Sequence, residues 1–340
     1  MIGDWTLIYV TEMVNFIYLL ILLCIMSYVE TRVQKGKTYY YFVKKTRVMG
    51  RDETIKRLMG TSPDYSLEKY ILDHIEEISK KEYDIRAEEL KGLVEILSHS
   101  QKLVEDMEYK SILINNLIEG KRCKNEIYTE FAEEFIFNSN NIEGSRIPPE
   151  EVKRIIEKGD TRYEDANEVK EVENSIKAFK YIQNGFKFNN DSLKRLYHIL
   201  TEGLVRDGNK PYPKGFKKRE NVVGNSKTTH PDDVEKELND LFRWLRENRN
   251  KIHPLILAFD FHARFERIHP FLDGNGRTGR MIMNKIMIRN GYHPIIIYKS
   301  NKKAYFNSLE NFEKRKKYYQ FMLEQANKTY GYILDVIRKY

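Results

Sequence analysis

His269-Pro-Phe-Leu-Asp-Gly-Asn-Gly-Arg-Thr-Gly-Arg280 gathers a titratable base, a carboxylate, three glycines and two arginines into twelve residues. Helix-favouring residues, Met281 to Arg289, follow at once. The run therefore reads as a loop that wraps phosphates and opens a helix, with backbone N–H groups near Gly274–Gly276 pointing at an anion on the helix N-terminus. Helical spacing of apolar residues on both sides of it sets the fold class as mainly α.

Each residue type has a reason to be there. Asp273 offers a hard oxygen ligand for Mg²⁺ or Mn²⁺, which commonly bind through one carboxylate and substrate phosphates. Gly274, Asn275 and Gly276 let backbone N–H groups come close to phosphate oxygens. Arg277 and Arg280, three apart at a helix start, share a face, and their guanidinium forks suit successive phosphates. His269 titrates near neutrality and can take a proton from an attacking hydroxyl. The sum is phosphoryl or nucleotidyl transfer by positioning and charge neutralisation. Against this, Asp-Gly-Asn-Gly is also ordinary turn chemistry. His262 and His269, seven apart, lack the further ligands of a zinc site, and the spacing of a P-loop is absent.

The chain has 340 residues, enough for two or three modest domains, with 41% hydrophobic and 32% charged residues. A net charge of +8 admits nucleic acid, an acidic partner or an anionic membrane as partners, and equally a merely solvated exterior. Cys24 and Cys123 make no disulfide framework and have no metal-ligand spacing, which fits a reducing compartment. Met13 to Val29 carries no charge. Residues 1–30 are thus a hydrophobic leader, read either as a transmembrane helix, which needs about 20 apolar residues, or as a mis-called start ahead of Met26. Arg32, Lys35 and Lys37 after it would place the body on the cytoplasmic side. The expected location is cytoplasmic, free or membrane-anchored.

Residues 31–60, rich in Tyr and β-branched side chains, predict a small β-hairpin. Apolar spacing predicts helices over Leu67 to Ile78, Leu90 to Ile118, Ile127 to Asn141, Glu150 to Lys158, Asn167 to Tyr181, Asp191 to Gly203, Asp232 to Arg249 and Ile256 to Ile268. His74 and His99 have no partner spacing and are read as structural. Lys214 to Ser226 alternates and contains a Gly-Asn turn, so a second hairpin stands upstream of the loop, as a lid, a peptide-docking edge or a connector.

The twelve-residue run resembles, in full, the signature of the Fic (Fido) domain family, with Phe265-Glu266 as its lead-in and the likeness covering roughly Asp191 to Tyr319. The resemblance implies a Fic-type helical core at 186–325 with a β-hairpin flap, after a helical region at 61–185 and before a C-terminal helix at 326–340. It implies a protein adenylyltransferase that moves AMP from ATP to a Ser, Thr or Tyr hydroxyl of a protein and releases pyrophosphate. His269 would be the base and Asp273 the metal ligand. Gly274, Asn275, Gly276, Arg277 and Arg280 would surround the phosphates, with Arg280 on the γ-phosphate, and Tyr305 and Asn311 would lie at the adenine. Around Lys217–Asn225 the flap would line up the target, with Phe216, Val222 and Val223 holding the modified side chain. Ser139-Asn-Asn-Ile-Glu-Gly144 resembles the family's inhibitory helix, here around 134–144. In that reading Ser139, Glu143 and Gly144 form a stopper, Glu143 pairing with Arg280 in place of the γ-phosphate.

Relatives with this glutamate can also remove AMP. Other relatives transfer phosphate or phosphocholine, and Gly274 fits the adenylylating majority. Self-modification, homodimerisation and a membrane are further expected partnerships. From another class altogether, the alternative is a non-catalytic, membrane-tethered regulator that binds nucleotide or nucleic acid.

Overall fold

The structure, a computed structural model, describes residues 27–48, 51–62, 66–96, 100–121, 124–206, 209–223 and 226–340. The leader up to Met26, Cys24, Cys123, His99 and the Gly224-Asn225 turn lie outside the described residues.

Three antiparallel strands open the chain: β1 (Ser27–Gln34), β2 (Lys37–Val48) and β3 (Arg51–Gly60), in the order β1-β2-β3. The expected hairpin is present as β2 and β3, but β1 extends it into a three-stranded sheet and begins inside the stretch read as leader. Val29, Phe42 and Arg57 are register partners across it. Its inner face sets Phe42 and Ile55 on Tyr70, Ile71 and Ile78, a small core of its own. Lys44 is fully buried on the same face, held by Glu82 at 3.1 Å, Glu119 at 3.7 Å and the Asn116 side chain.

Twelve α-helices follow among the described residues. The segment expected as one helix from Leu67 to Ile78 is two, α1 (Leu67–Asp73) and α2 (Ile75–Ile96), because His74 caps the first: its N–H turns back to Tyr70 and Leu72, and its ring stacks on Tyr70. Likewise, Leu90 to Ile118 is divided between α2 and α3 (Gln101–Lys121), with Ser100 accepting the first turn of α3 from Val104. Next come α4 (Lys124–Glu143), α5 (Pro149–Lys158), α6 (Ala166–Asn184) and α7 (Asn190–Thr201). Two miniature hairpins interrupt: β4 (Val205–Arg206) with β5 (Lys210–Pro211), which sequence reading did not anticipate, and β6 (Val222–Val223) with β7 (Ser226–Lys227). Helices α8 (Val234–Asn248), α9 (Pro254–Ile268), α10 (Asn275–Arg289), α11 (Lys302–Glu310) and α12 (Arg315–Lys339) complete the body.

One large core runs from Leu90 to Ile337. At its centre α9 and α10 lie side by side, and both are buried almost all round. They approach closely because Gly279 has no side chain; a Cβ there would meet Glu266 Oε1 at 2.6 Å and Phe265 at 3.0 Å. The last helix is continuous across the boundary expected at 325/326. It packs on α3 and α4, and Lys121 donates to the Ile337 carbonyl at 3.1 Å. No helix among the described residues is long and apolar enough to cross a membrane.

Candidate active site

The loop hangs between the end of α9 and the start of α10. His269 ends α9 in a left-handed conformation, φ 49°, uncommon for a side-chain-bearing residue, which turns its ring off the helix axis and into the loop. Phe271 is fully buried and anchors the turn, stacked on Tyr197 with centroids 3.9 Å apart and touched by Phe216 at 5.5 Å. Asn275 fastens the loop to itself: its Oδ1 accepts from Phe271 N–H at 2.8 Å and its Nδ2 donates to Phe271 C=O at 2.9 Å. Its side chain thus shapes the loop, a role the sequence reading did not give it. Gly274, φ 75°, precedes the first helical turn in a conformation that favours glycine.

A carboxylate already occupies the mouth of this helix. Glu143, the last residue of α4, accepts from Arg280 Nη2 at 2.7 Å. Ser139, one turn earlier, takes the same arginine twice, from Nε on its Oγ at 3.0 Å and from Nη2 on its carbonyl at 2.9 Å. Arg280 is only 1% exposed. A Cβ at Gly276 would collide with Glu143 Oε1, so the carboxylate lies directly over the glycine expected to face phosphate. Gly144, at φ 119°, lets the chain leave α4 sharply after Glu143.

His269 and its surroundings are equally constrained. Burial, reinforced by the charge of Lys217, pushes His269 down to about 4, so the imidazole is neutral at pH 7. Its Nδ1 lies 3.8 Å from Glu266 Oε2. Burial raises Glu266 to about 8, and its other oxygen is 4.0 Å from His262 Nδ1. His262 bonds Tyr305 Oη at 2.8 Å through Nε2. Lys217 is itself buried, and desolvation lowers it to about 8; its Nζ donates to Asn221 at 2.7 Å, Thr228 at 2.6 Å and the Ile268 carbonyl at 3.2 Å.

His269, Asp273, Gly274, Asn275, Gly276, Arg277, Arg280, Ser139 and Glu143 therefore come together, although α4 is more than 120 residues upstream of the loop. Arg277, 2% exposed, is engaged by Glu171 of α6 at 3.1 Å. Asp273 is exposed and takes Tyr212 Oη at 3.0 Å and Gly274 N–H at 2.5 Å. A single exposed carboxylate beside the cradle fits a metal that phosphates co-ligate; among the described residues no group of three or more His, Cys, Asp or Glu is placed to hold an ion alone. Tyr305 enters differently from expectation: it is 1% exposed, with its ring 5.9 Å from the Arg280 guanidinium, and so lies behind that arginine rather than as an open wall. Asn311 is exposed and caps α11 through Asn307. Phe216 sits at the loop with Lys194 over its ring at 4.6 Å. Val222 is 62% exposed, and Val223 pairs with Ser226. Sequence reading missed Glu171, Tyr212 and Lys217. Their side chains become site residues only through burial against partners 50 or more residues away, and Glu266 had shown only as part of a lead-in.

A helical body presenting an anion cradle at a buried helix start, with a neutral histidine beside it, defines a phosphate-handling class of site. Residues 187–287 match the model of the Fic/DOC family. Among curated proteins the chain is 30% identical over 202 residues to Protein adenylyltransferase Fic of Drosophila persimilis, 56% of this chain and 37% of that one. It is 29% identical over 229 residues to the Aedes aegypti protein of the same name, 64% of this chain and 44% of that one. The chain thus spans less than half the length of these relatives. Similar folds are a Fic domain containing signaling protein from Bacteroides thetaiotaomicron, with TM-score 0.61, 19% identity, 70% of this chain and 97% of that one, and Fic-1 from C. elegans, with TM-score 0.52, 17% identity, 79% and 98%. At those identities the likeness is one of fold.

Proposed function

We propose that the protein is a protein adenylyltransferase held off by its own Glu143. It transfers AMP from ATP to a Ser, Thr or Tyr hydroxyl of a protein and releases pyrophosphate. The observation that carries this reading is a neutral, partly buried base next to a helix-start anion cradle whose key arginine is bonded to a carboxylate. The names of the curated relatives support it.

In this reaction the hydroxyl oxygen attacks the α-phosphorus, the bond from that phosphorus to the bridging oxygen breaks, and pyrophosphate leaves. His269 accepts the hydroxyl proton, for which its neutrality suits it. N–H groups at Gly274, Asn275 and Gly276 face the phosphates, with Arg277 and Arg280 neutralising charge on the outer ones. Asp273 would hold Mg²⁺ or Mn²⁺, which supplies further charge neutralisation when bound. Because Glu143 occupies the place of an outer phosphate, ATP entering around it is misaligned at its α-phosphate. In hydrolytic removal of AMP from a modified target, the same carboxylate would orient the attacking water, the target hydroxyl being the leaving group.

Glu143→Gly protein incubated with cell extract and Mg²⁺ should transfer label from α-labelled but not γ-labelled ATP, and His269→Ala should abolish it. Transfer of γ-label would make it a kinase. A salt-sensitive nucleic-acid shift with neither transfer would favour the non-catalytic regulator.

A further inference from the structure

Three atoms behind the loop face one another with nothing else to bond. Glu266 lies in the last turn of α9, one turn before His269, and the two side chains are 10% and 18% exposed. His262, one turn earlier still, is fully buried. Among the described residues no hydrogen bond reaches Glu266 Oε1, His262 Nδ1 or His269 Nδ1. Buried polar atoms seldom stay unpaired, so three of them side by side need a reason. The reaction as set out above uses His269 and leaves Glu266 and His262 without a part.

The carboxyl of Glu266 is wedged between the two central helices, against Gly279 of α10, where a Cβ would meet Oε1 at 2.6 Å. One of its oxygens faces His262 Nδ1 at 4.0 Å and the other His269 Nδ1 at 3.8 Å. His262 is fixed from behind by its 2.8 Å bond to Tyr305 Oη. Both gaps exceed a hydrogen bond; contacts of this kind are often long before substrate binds and tighten with it. Burial raises Glu266 to about 8 and lowers His262 to about 3. At pH 7 the three side chains are therefore neutral, and the carboxyl has one carbonyl oxygen to accept with and one O–H to donate. We propose that Glu266 is a positioning residue for His269: its carbonyl oxygen accepts from His269 Nδ1–H while its O–H points to His262, which leaves the Nε2 lone pair of His269 open to the acceptor hydroxyl. A neutral imidazole takes a proton only at the nitrogen that carries none, so the tautomer decides whether the ring can act as a base. Glu266 itself gains and loses no proton in the step. This assignment rests on the AMP-transfer reading for the reaction that the ring serves.

Two readouts on the full chain carrying Glu143→Gly test it. One is the tautomer of His269 at pH 7, from proton–nitrogen NMR spectra of histidine-labelled protein, with His269→Ala assigning the ring. The other is the steady-state rate of AMP incorporation from α-labelled ATP. Glu266→Gln copies a neutral carboxyl, with one oxygen to accept and one NH₂ to donate, and Glu266→Leu removes both. Glu266 and its glutamine variant should hold the ring as the Nδ1–H tautomer, and the leucine variant should show a mixture. Leucine should cost at least about tenfold in kcat, as loss of an oriented base does, with the KM for ATP unmoved. Glutamine should restore most of that rate and keep the acid limb where it was. An Nδ1–H tautomer that persists in the leucine variant would overturn the inference and give the ring to the Glu266 backbone carbonyl, which also favours the protonated imidazole. A glutamine variant that loses the tautomer, or about tenfold in kcat, would overturn it as well, whether or not the leucine variant folds. A tautomer that follows Glu266 while no variant transfers label would remove the AMP-transfer reading alone.

Discussion

A guanidinium 1% exposed must find its partners inside the protein, and Arg280 finds them in Ser139 and Glu143. The pair could be expected from sequence only through the family resemblance, since the Ser139–Gly144 pattern is unspecific until it is set beside the loop. The state of His269 could not. Its unperturbed value lies near 6.5, and only its burial and the nearby Lys217 charge bring it to about 4. In the proposed role of base it works unprotonated, so activity of Glu143→Gly should stay level from pH 7 down to about 5 and fall through an acid limb near 4. Lys217→Met removes a charge that lowers the histidine, so the limb should move to higher pH. A limb near 6.5 in Glu143→Gly would show a solvated imidazole instead.

At the scale of elements, the loop between α9 and α10 depends on its internal staple. Asn275→Ala leaves the buried N–H of Phe271 without a partner and its C=O with Asn221 alone. It should cost about 1–3 kcal/mol of stability, the range for one buried group left unpaired, together with most of the transfer activity. Asn275→Asp, which can still accept from the Phe271 N–H, should fall between in thermal melts. The helices were legible because their apolar spacing is regular, as in α7 and α8. Breaks within them were less so: His74 ends α1 through a backbone turn and a ring stack that apolar spacing does not encode. Strand β1 was hidden because its apolar residues run on from the leader, and β4 and β5 are too short to carry a period.

Across the whole molecule, the N-terminal sheet is joined to the helices by charge as well as by apolar packing. Lys44 and Glu82 are both essentially inaccessible and sit 3.1 Å apart. Removing one partner strands the other, so Lys44→Ala should destabilise by about 3–5 kcal/mol, whereas Lys44→Met with Glu82→Leu should recover most of the loss. Denaturant unfolding of the three variants measures this; a single substitution as mild as the double would mean that water reaches the pair. Sequence pattern marked Lys44 only as one polar residue in a strand, since its burial depends on α2 and α3 covering that face. The fold class and the loop at His269–Arg280 were legible, and the coupling between distant parts was not. Glu143 reaches Arg280 from 137 residues away, and this contact makes the proposed restraint a property of the assembled body.

The most direct measurement is the initial rate of AMP incorporation from α-labelled ATP by Glu143→Gly beside the parent chain, at equal concentration and with a shared acceptor. Charge-assisted hydrogen bonds of this kind contribute about 1.5–3 kcal/mol, and about 1.4 kcal/mol is tenfold, so the variant should be roughly 10- to 100-fold faster. A Glu143→Gly protein no faster than its parent would contradict the assignment of Glu143 as the stopper.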